Sequence, residues 1–165
     1  MRSIIVVIFA LVGLLTASAI ICAKEPDFLE NRYVAILTAN KSFDSARADA
    51  MRISKAAGIP FSMEGRIYDK KRGLIYPDNF DDEVFRGSYV ARRYHTARLS
   101  EKQTDTEYLS VERSDGYDGF KPGFYIVVAG IQQTSAAAEK QVKRFAAWAP
   151  TAYPKKTKIY MGCMH

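Results

Sequence analysis

A chain of 165 residues with 48% hydrophobic and 12% aromatic content carries enough apolar material for one compact core, which excludes a disordered tail. Its formal charge of +6 points towards anionic partners or towards a well-solvated basic surface. Two cysteines allow one disulfide at most, so the fold does not rest on a disulfide framework.

Residues 1–23 combine Arg2, an apolar run from Ile4 to Leu15 and the small residues Thr16-Ala17-Ser18-Ala19, the three parts of a secretory signal. Cleavage after Ala19 and cleavage after Ala23 both fit. An uncleaved anchor from Ile4 to Ile21 also fits, at roughly the minimum spanning length of about 18 residues. A lipoprotein signal ending at Cys22 is disfavoured by the bulk of Ile21. The mature chain is thus expected outside the cytoplasm, in the periplasm or cell envelope. Cleavage after Ala19 keeps Cys22 and Cys163 available for one disulfide, whereas cleavage after Ala23 leaves Cys163 alone. In that compartment a basic protein meets wall polymer, lipid head groups or acidic proteins. Nucleic acid is not an expected partner, and a membrane is one only if the N-terminal segment is retained.

The run Tyr33 to Ala39 is short, apolar and rich in β-branched residues, the pattern of a buried strand. A helix follows, capped by Ser42 or Asp44 and carrying Ala46, Ala50, Ile53 and Ala57 on one face, with Gly58 at its exit. A return strand is expected at Arg66-Ile67-Tyr68. Residues 70–123 are dense in turn formers such as Pro77-Asp78-Asn79 and Ser114-Asp115-Gly116. Within them, an element around Val84 to Tyr94, a loop at Ser100 to Thr106 and a short strand at Tyr108-Leu109-Ser110-Val111 are expected. Tyr125 to Ile131 then reads as another buried strand. The next helix, capped by Thr134 or Ser135, carries Ala138, Val142, Phe145 and Ala149, ends before Pro150, and leads to a strand at Lys158-Ile159-Tyr160. The segment from Tyr33 to Asp69 is echoed without gaps from Tyr125 onwards. Two β-α-β copies cannot make a solenoid, which needs three or more units. They imply one pseudo-symmetric domain over residues 24–165, with an insertion at about 70–123.

No catalytic constellation is present, so no enzyme, cofactor or metal is expected. His95 and His165 are isolated, and Cys163 has no neighbouring base in sequence. The acidic run Asp78, Asp81, Asp82, Glu83 lacks the ligand spacing of a calcium loop. Trp148 adjoins the second helix stripe and reads as a packing residue. The strongest charge feature is the cluster Lys140, Lys143, Arg144, Lys155, Lys156 and Lys158, which a solvated helix face accounts for.

The double β-α-β pattern, and the approach Ser110 to Gly130 with its aromatic, Pro122-Gly123 and valine-rich strand, resembles the SPOR (sporulation-related repeat) domain. That resemblance implies an α+β, ferredoxin-like fold: a four-stranded antiparallel sheet with two helices on one face. It also implies non-catalytic binding of peptidoglycan glycan strands. Two departures stand out: the repeats are not contiguous, and the first strand ends Leu37-Thr38-Ala39 where a glycine is typical. If Val34, Ile36, Ile126 and Val128 face the helices, alternation puts Tyr33, Ala35, Tyr125 and Val127 on the open face, joined by Arg66, Tyr68, Lys158 and Tyr160. Tyr33, Arg66, Tyr68, Tyr125, Lys158 and Tyr160 are then the expected ligand-binding set, since aromatic faces accept sugar C–H groups and cations bond hydroxyls. Tyrosine also favours half-buried strands on its own account. The rival reading is a periplasmic protein-interaction module, of the inhibitor or immunity type, whose contact surface is the insertion 70–123.

Overall fold

The computed structural model describes residues 29–80 and 107–160. The secretory signal expected at residues 1–23, both cysteines, both histidines, the element expected at 84–94 and the loop expected at 100–106 lie outside these described residues. β1 (Leu29–Asn40) is the spine of the fold. Leu29 to Ile36 pair antiparallel with β6 (Tyr153–Tyr160), and Tyr33 to Asn40 pair antiparallel with β5 (Tyr125–Gln132). β4 (Ser110–Arg113) continues the sheet beyond β5, giving the order β4-β5-β1-β6. The protein is therefore α+β, with a four-stranded antiparallel sheet and two helices, compatible with a ferredoxin-like arrangement.

The helices begin where their side chains can cap them. Ser42 accepts the Ser45 amide ahead of α1 (Phe43–Ala57), which Gly58 closes at φ 67°. Thr134 accepts the Ala137 amide ahead of α2 (Ser135–Arg144). Both predicted stripes are buried: Ala46, Ala50 and Ile53 from α1, then Ala138, Val142, Phe145 and Ala149 from α2 and the turns after it. They cover one sheet face made of Ala35, Leu37, Val111, Val127 and Ala129. Trp148 packs at the margin of this core, as its sequence position suggests.

The strand parity is the reverse of the expected one. Val34, Ile36, Ile126 and Val128 lie on the far face, beneath Tyr117, with Phe120 and Phe124 packed alongside. The reason is steric. Alanine-rich helices approach closely, and Ala35 and Ala129 leave them room where the larger β-branched residues would hold them off. At Gly130 the approach is closer still, since an added Cβ would lie 2.6 Å from the Gln141 amide. The larger residues instead meet the aromatic loop between β4 and β5. That loop is closed by Ser114, whose backbone donates to the Phe124 carbonyl at 2.9 Å and whose hydroxyl accepts the Phe124 amide at 3.1 Å.

A second correction concerns the return strand. Ile67–Asp69 (β2) pairs with Gly73–Ile75 (β3) in a separate two-stranded hairpin, and β4 takes the sheet edge expected for Arg66-Ile67-Tyr68. The chain leaving α1 reaches that edge only at Phe61, which forms a parallel bridge with Leu109.

If close helix packing sets the parity, Ala50→Leu overfills the interface and destabilises the protein by about 1–3 kcal/mol. Ala56→Leu, at an exposed position of the same helix, should change stability by less than about 0.5 kcal/mol in urea unfolding.

Candidate functional site

The β2-β3 hairpin stands where it does because of a buried polar cluster. Arg66, 3% exposed, donates from Nε to the Met63 carbonyl at 3.0 Å and from Nη2 to Glu64 Oε2 at 2.9 Å. Tyr108 donates its hydroxyl to the other Glu64 oxygen. Glu112 of β4 is fully buried and accepts from Ser110 Oγ at 2.6 Å and from the Tyr117 hydroxyl. Burial disfavours the Arg66 charge, but the Glu112 and Glu64 carboxylates outweigh it and raise its pKa above the usual arginine value.

Beyond this cluster the hairpin turns sharply. Asp69 Oδ1 accepts the Lys71 and Arg72 amides, both at 2.7 Å, and these bonds hold its carboxyl below the ordinary aspartate pKa. Gly73 closes the turn at φ 80°, a left-handed position that short hairpin loops fill with glycine. Tyr68 stacks on Phe43 at the start of α1, with ring centroids 4.3 Å apart and planes within 7°. Tyr125 meets both rings edge-on, at 5.7 Å from Phe43 and 6.0 Å from Tyr68. Partial burial, then the neighbouring Tyr68, raises the Tyr125 pKa above the ordinary tyrosine value.

The result is a groove of about 310 Å³ with an aromatic floor and a cationic rim. Lys41, Lys70, Lys71, Arg72 and Arg113 line it, along with Tyr68, Tyr125 and Phe124. Arg113 is paired with Asp115, and Arg72 with Asp78 at 3.2 Å. Lys41, Lys70 and Lys71 have no carboxylate partner among the described residues. The β4-β5 register places Arg113 directly across from Tyr125, which brings cation and ring together.

Of the residues expected to bind ligand, Tyr68 and Tyr125 meet in this groove. Arg66 does not join an open face, being buried in the polar cluster. Tyr33 pairs across Gln132 and Lys156, seven residues along β5 from Tyr125 and so roughly 23 Å away. Lys158 is exposed at that same far end, opposite Asn31. Tyr160 pairs with Leu29, and its side chain lies outside what the structure describes. The basic cluster also divides. Arg144 makes two bonds to Glu107, at 2.7 and 2.9 Å, and Lys155 sits 4.5 Å from the Phe120 ring centre.

The hairpin cations Lys70, Lys71 and Arg72 were not among the expected site residues. Their signal in sequence is Asp69-Lys70-Lys71-Arg72-Gly73, an acceptor and a glycine bracketing three cations. Among the described residues no three His, Cys, Asp or Glu side chains are grouped to hold a metal. No helix among them is long and apolar enough to cross a membrane.

Comparison with family models, curated proteins and solved structures finds no match. The site is therefore interpreted from its chemistry.

Two tests address this geometry. Gly73→Ala puts a Cβ 3.3 Å from Arg113 Nη1 and 3.4 Å from the Tyr125 hydroxyl at a positive φ, and should cost about 1 kcal/mol or more of stability in urea unfolding. Because the Asp69 pKa is depressed in the fold, its contribution is present above the ordinary carboxylate range and is lost as pH falls through the depressed value. The Lys71 and Arg72 amide resonances should shift together in that acidic window, and Asp69→Ala should remove the transition.

Proposed function

We propose that this chain is an exported, non-catalytic cell-envelope protein that binds an anionic glycan, with peptidoglycan glycan strands as the substrate class, through the groove at the hairpin. The observation that carries the reading is a groove lined by Tyr68 and Tyr125, both packed on the buried Phe43, and by five cations, three of them lysines without a carboxylate partner among the described residues. Pyranose rings present apolar C–H faces that pack on aromatic rings, while their acidic substituents seek cations. Lining one groove with Lys41, Lys70 and Lys71, none of them paired with a carboxylate among the described residues, costs the folded state self-repulsion. An anionic ligand reverses that cost, whereas a neutral one leaves it in place. Tyr68, 40% exposed, offers ring surface at the centre of the cationic rim.

The contact surface in this reading differs from an open sheet face. The far face is covered in part by Tyr117, Phe120 and Phe124, and the helix-side face is occupied by α1 and α2. The groove lies at the end of the helix side, between the start of α1 and the hairpin. Export rests on the secretory pattern of residues 1–23, and the absence of a catalytic role rests on the lack of any nucleophile, base and acid convergence in the sequence.

The test is sedimentation of residues 24–165 with purified peptidoglycan sacculi. The parent should co-sediment at low salt and be released as salt screens the rim. Lys70→Gln with Lys71→Gln should weaken retention about tenfold, close to 1.4 kcal/mol. Tyr68→Ser should weaken it independently, with helix content unchanged. A parent that stays in the supernatant at low salt contradicts the reading.

A further inference from the structure

The two ends of the main sheet are finished differently. At the β4 end the chain at Pro60 to Ser62 runs alongside: the Ser62 amide donates to the Leu109 carbonyl at 2.9 Å, and the Leu109 amide donates to the Pro60 carbonyl at 2.8 Å. At the other end β6 pairs with β1 over eight residues, and among the described residues no strand lies beyond it. A long unpaired strand edge is a template for another strand. Pro154 has no N–H, and an edge strand tolerates a proline with its nitrogen on the open side. Backbone groups alternate in direction along a strand, so Lys156 and Lys158 turn their N–H and C=O groups to that same side.

The side chains of β6 set what an added strand must carry. Lys156 lies across from Tyr33 and Lys158 across from Asn31, in step with Pro154 across from Ala35, which faces the helices. Both lysines are exposed, and neither has a carboxylate partner among the described residues. On the far face the strand shows Tyr153, 43% exposed, and the half-buried Ile159. Between them the far face is already engaged, with Lys155 over the Phe120 ring at 4.5 Å and the Thr157 hydroxyl donating to the Asp118 carbonyl at 3.0 Å. The edge is thus cationic on one face and apolar at both ends of the other. A second copy of β6 would set lysine rows side by side, a like-charge arrangement that destabilises neighbouring strands. A strand with carboxylates at every second position would meet Lys156 and Lys158 instead, with its intervening side chains turned to the far face.

We propose that β6 is a docking edge for an extended acidic segment of another protein, which adds as a fifth strand with carboxylates beside Lys156 and Lys158 and apolar side chains beside Tyr153 and Ile159. Backbone bonds to β6 supply the attachment, while the lysines select the charge of the partner and exclude self-pairing. The edge lies three strand spacings from β4, roughly 14 Å, on the opposite side of the sheet from the hairpin groove. The inference therefore does not rest on the glycan reading.

The probe is an eight-residue peptide, the length of β6, alternating glutamate with valine. It would be titrated into residues 24–165 at low salt and followed by amide chemical shifts and hydrogen exchange. Shifts should fall on Tyr153 to Ile159, with slowed exchange at the Lys156 and Lys158 amides. The same peptide with its backbone amides N-methylated keeps the charges and loses the ladder, and should bind about tenfold more weakly. A lysine-for-glutamate peptide should be weakened to a similar degree. Lys156→Glu with Lys158→Glu should reverse the preference between the acidic and basic peptides, with the urea midpoint unchanged. Equal binding of the N-methylated peptide reduces the contact to charge alone and overturns the proposal. So does silence at β6, with or without shifts at Lys41, Lys70 and Lys71 in the groove. Protection of β6 amides that grows with protein concentration in the absence of peptide makes a second copy the occupant, and overturns it as well.

Discussion

Removing a guanidinium from water costs several kcal/mol, and a fold that buries one must satisfy it with carboxylates or carbonyls held in place. Arg66 is buried against Glu64, the Met63 carbonyl and the field of Glu112. Those partners come from the turn before the hairpin and from a strand of the main sheet. Arg66 thereby ties the hairpin to the sheet edge, and taking away Glu64, its ion-pair partner, would leave a buried guanidinium without it at a cost of about 3–5 kcal/mol. The stacking of Tyr68 on Phe43 and the approach of Gly73 to Arg113 both follow from where that anchor sets β2 and β3. The groove is a consequence of the buried charge cluster rather than of the sheet alone.

The division of labour between the faces of the sheet has the same logic. One face receives helices whose contact residues are mostly alanines, and it answers with Ala35 and Ala129. The other receives an aromatic loop, and it answers with Val34, Ile36, Ile126 and Val128. Among the described residues both faces are covered at least in part, and the groove forms at the end of the sheet where β4, β5, the hairpin and the start of α1 meet. Backbone turns at Asp69 and Ser114 hold the cations and the loop at that corner.

Much of this was legible in the sequence, and the failures have physical causes. The helix stripes and the caps at Ser42 and Thr134 were readable because helical periodicity and capping are local. The parity of β1 and β5 was not, since Ala35 and Leu37 are as apolar as Val34 and Ile36, and a strand buried on both faces carries no alternation to orient it. β4 spans Ser110–Arg113 instead of the expected Tyr108–Val111, and its later end was hidden because Glu112 reads as a solvated residue until its partners Ser110 and Tyr117 are seen. Arg66 misled in the same way, as a surface cation on a strand. Tyr68 and Tyr125 were singled out for their chemistry and do meet, but through the hairpin rather than across neighbouring strands. Lys70, Lys71 and Arg72 were missed because charged turn residues are common, and only the fold brings them over an aromatic floor.

The central claim is that the cationic, tyrosine-floored groove is where this protein meets an anionic glycan. The most direct test is residue-level mapping by amide chemical shifts while soluble, peptide-free peptidoglycan glycan fragments are titrated into residues 24–165. The account predicts perturbations concentrated at Lys41, Tyr68 to Gly73, Arg113 and Tyr125. Perturbations centred on Tyr33, Lys156 and Lys158 at the opposite end of the sheet, with the hairpin silent, would contradict it.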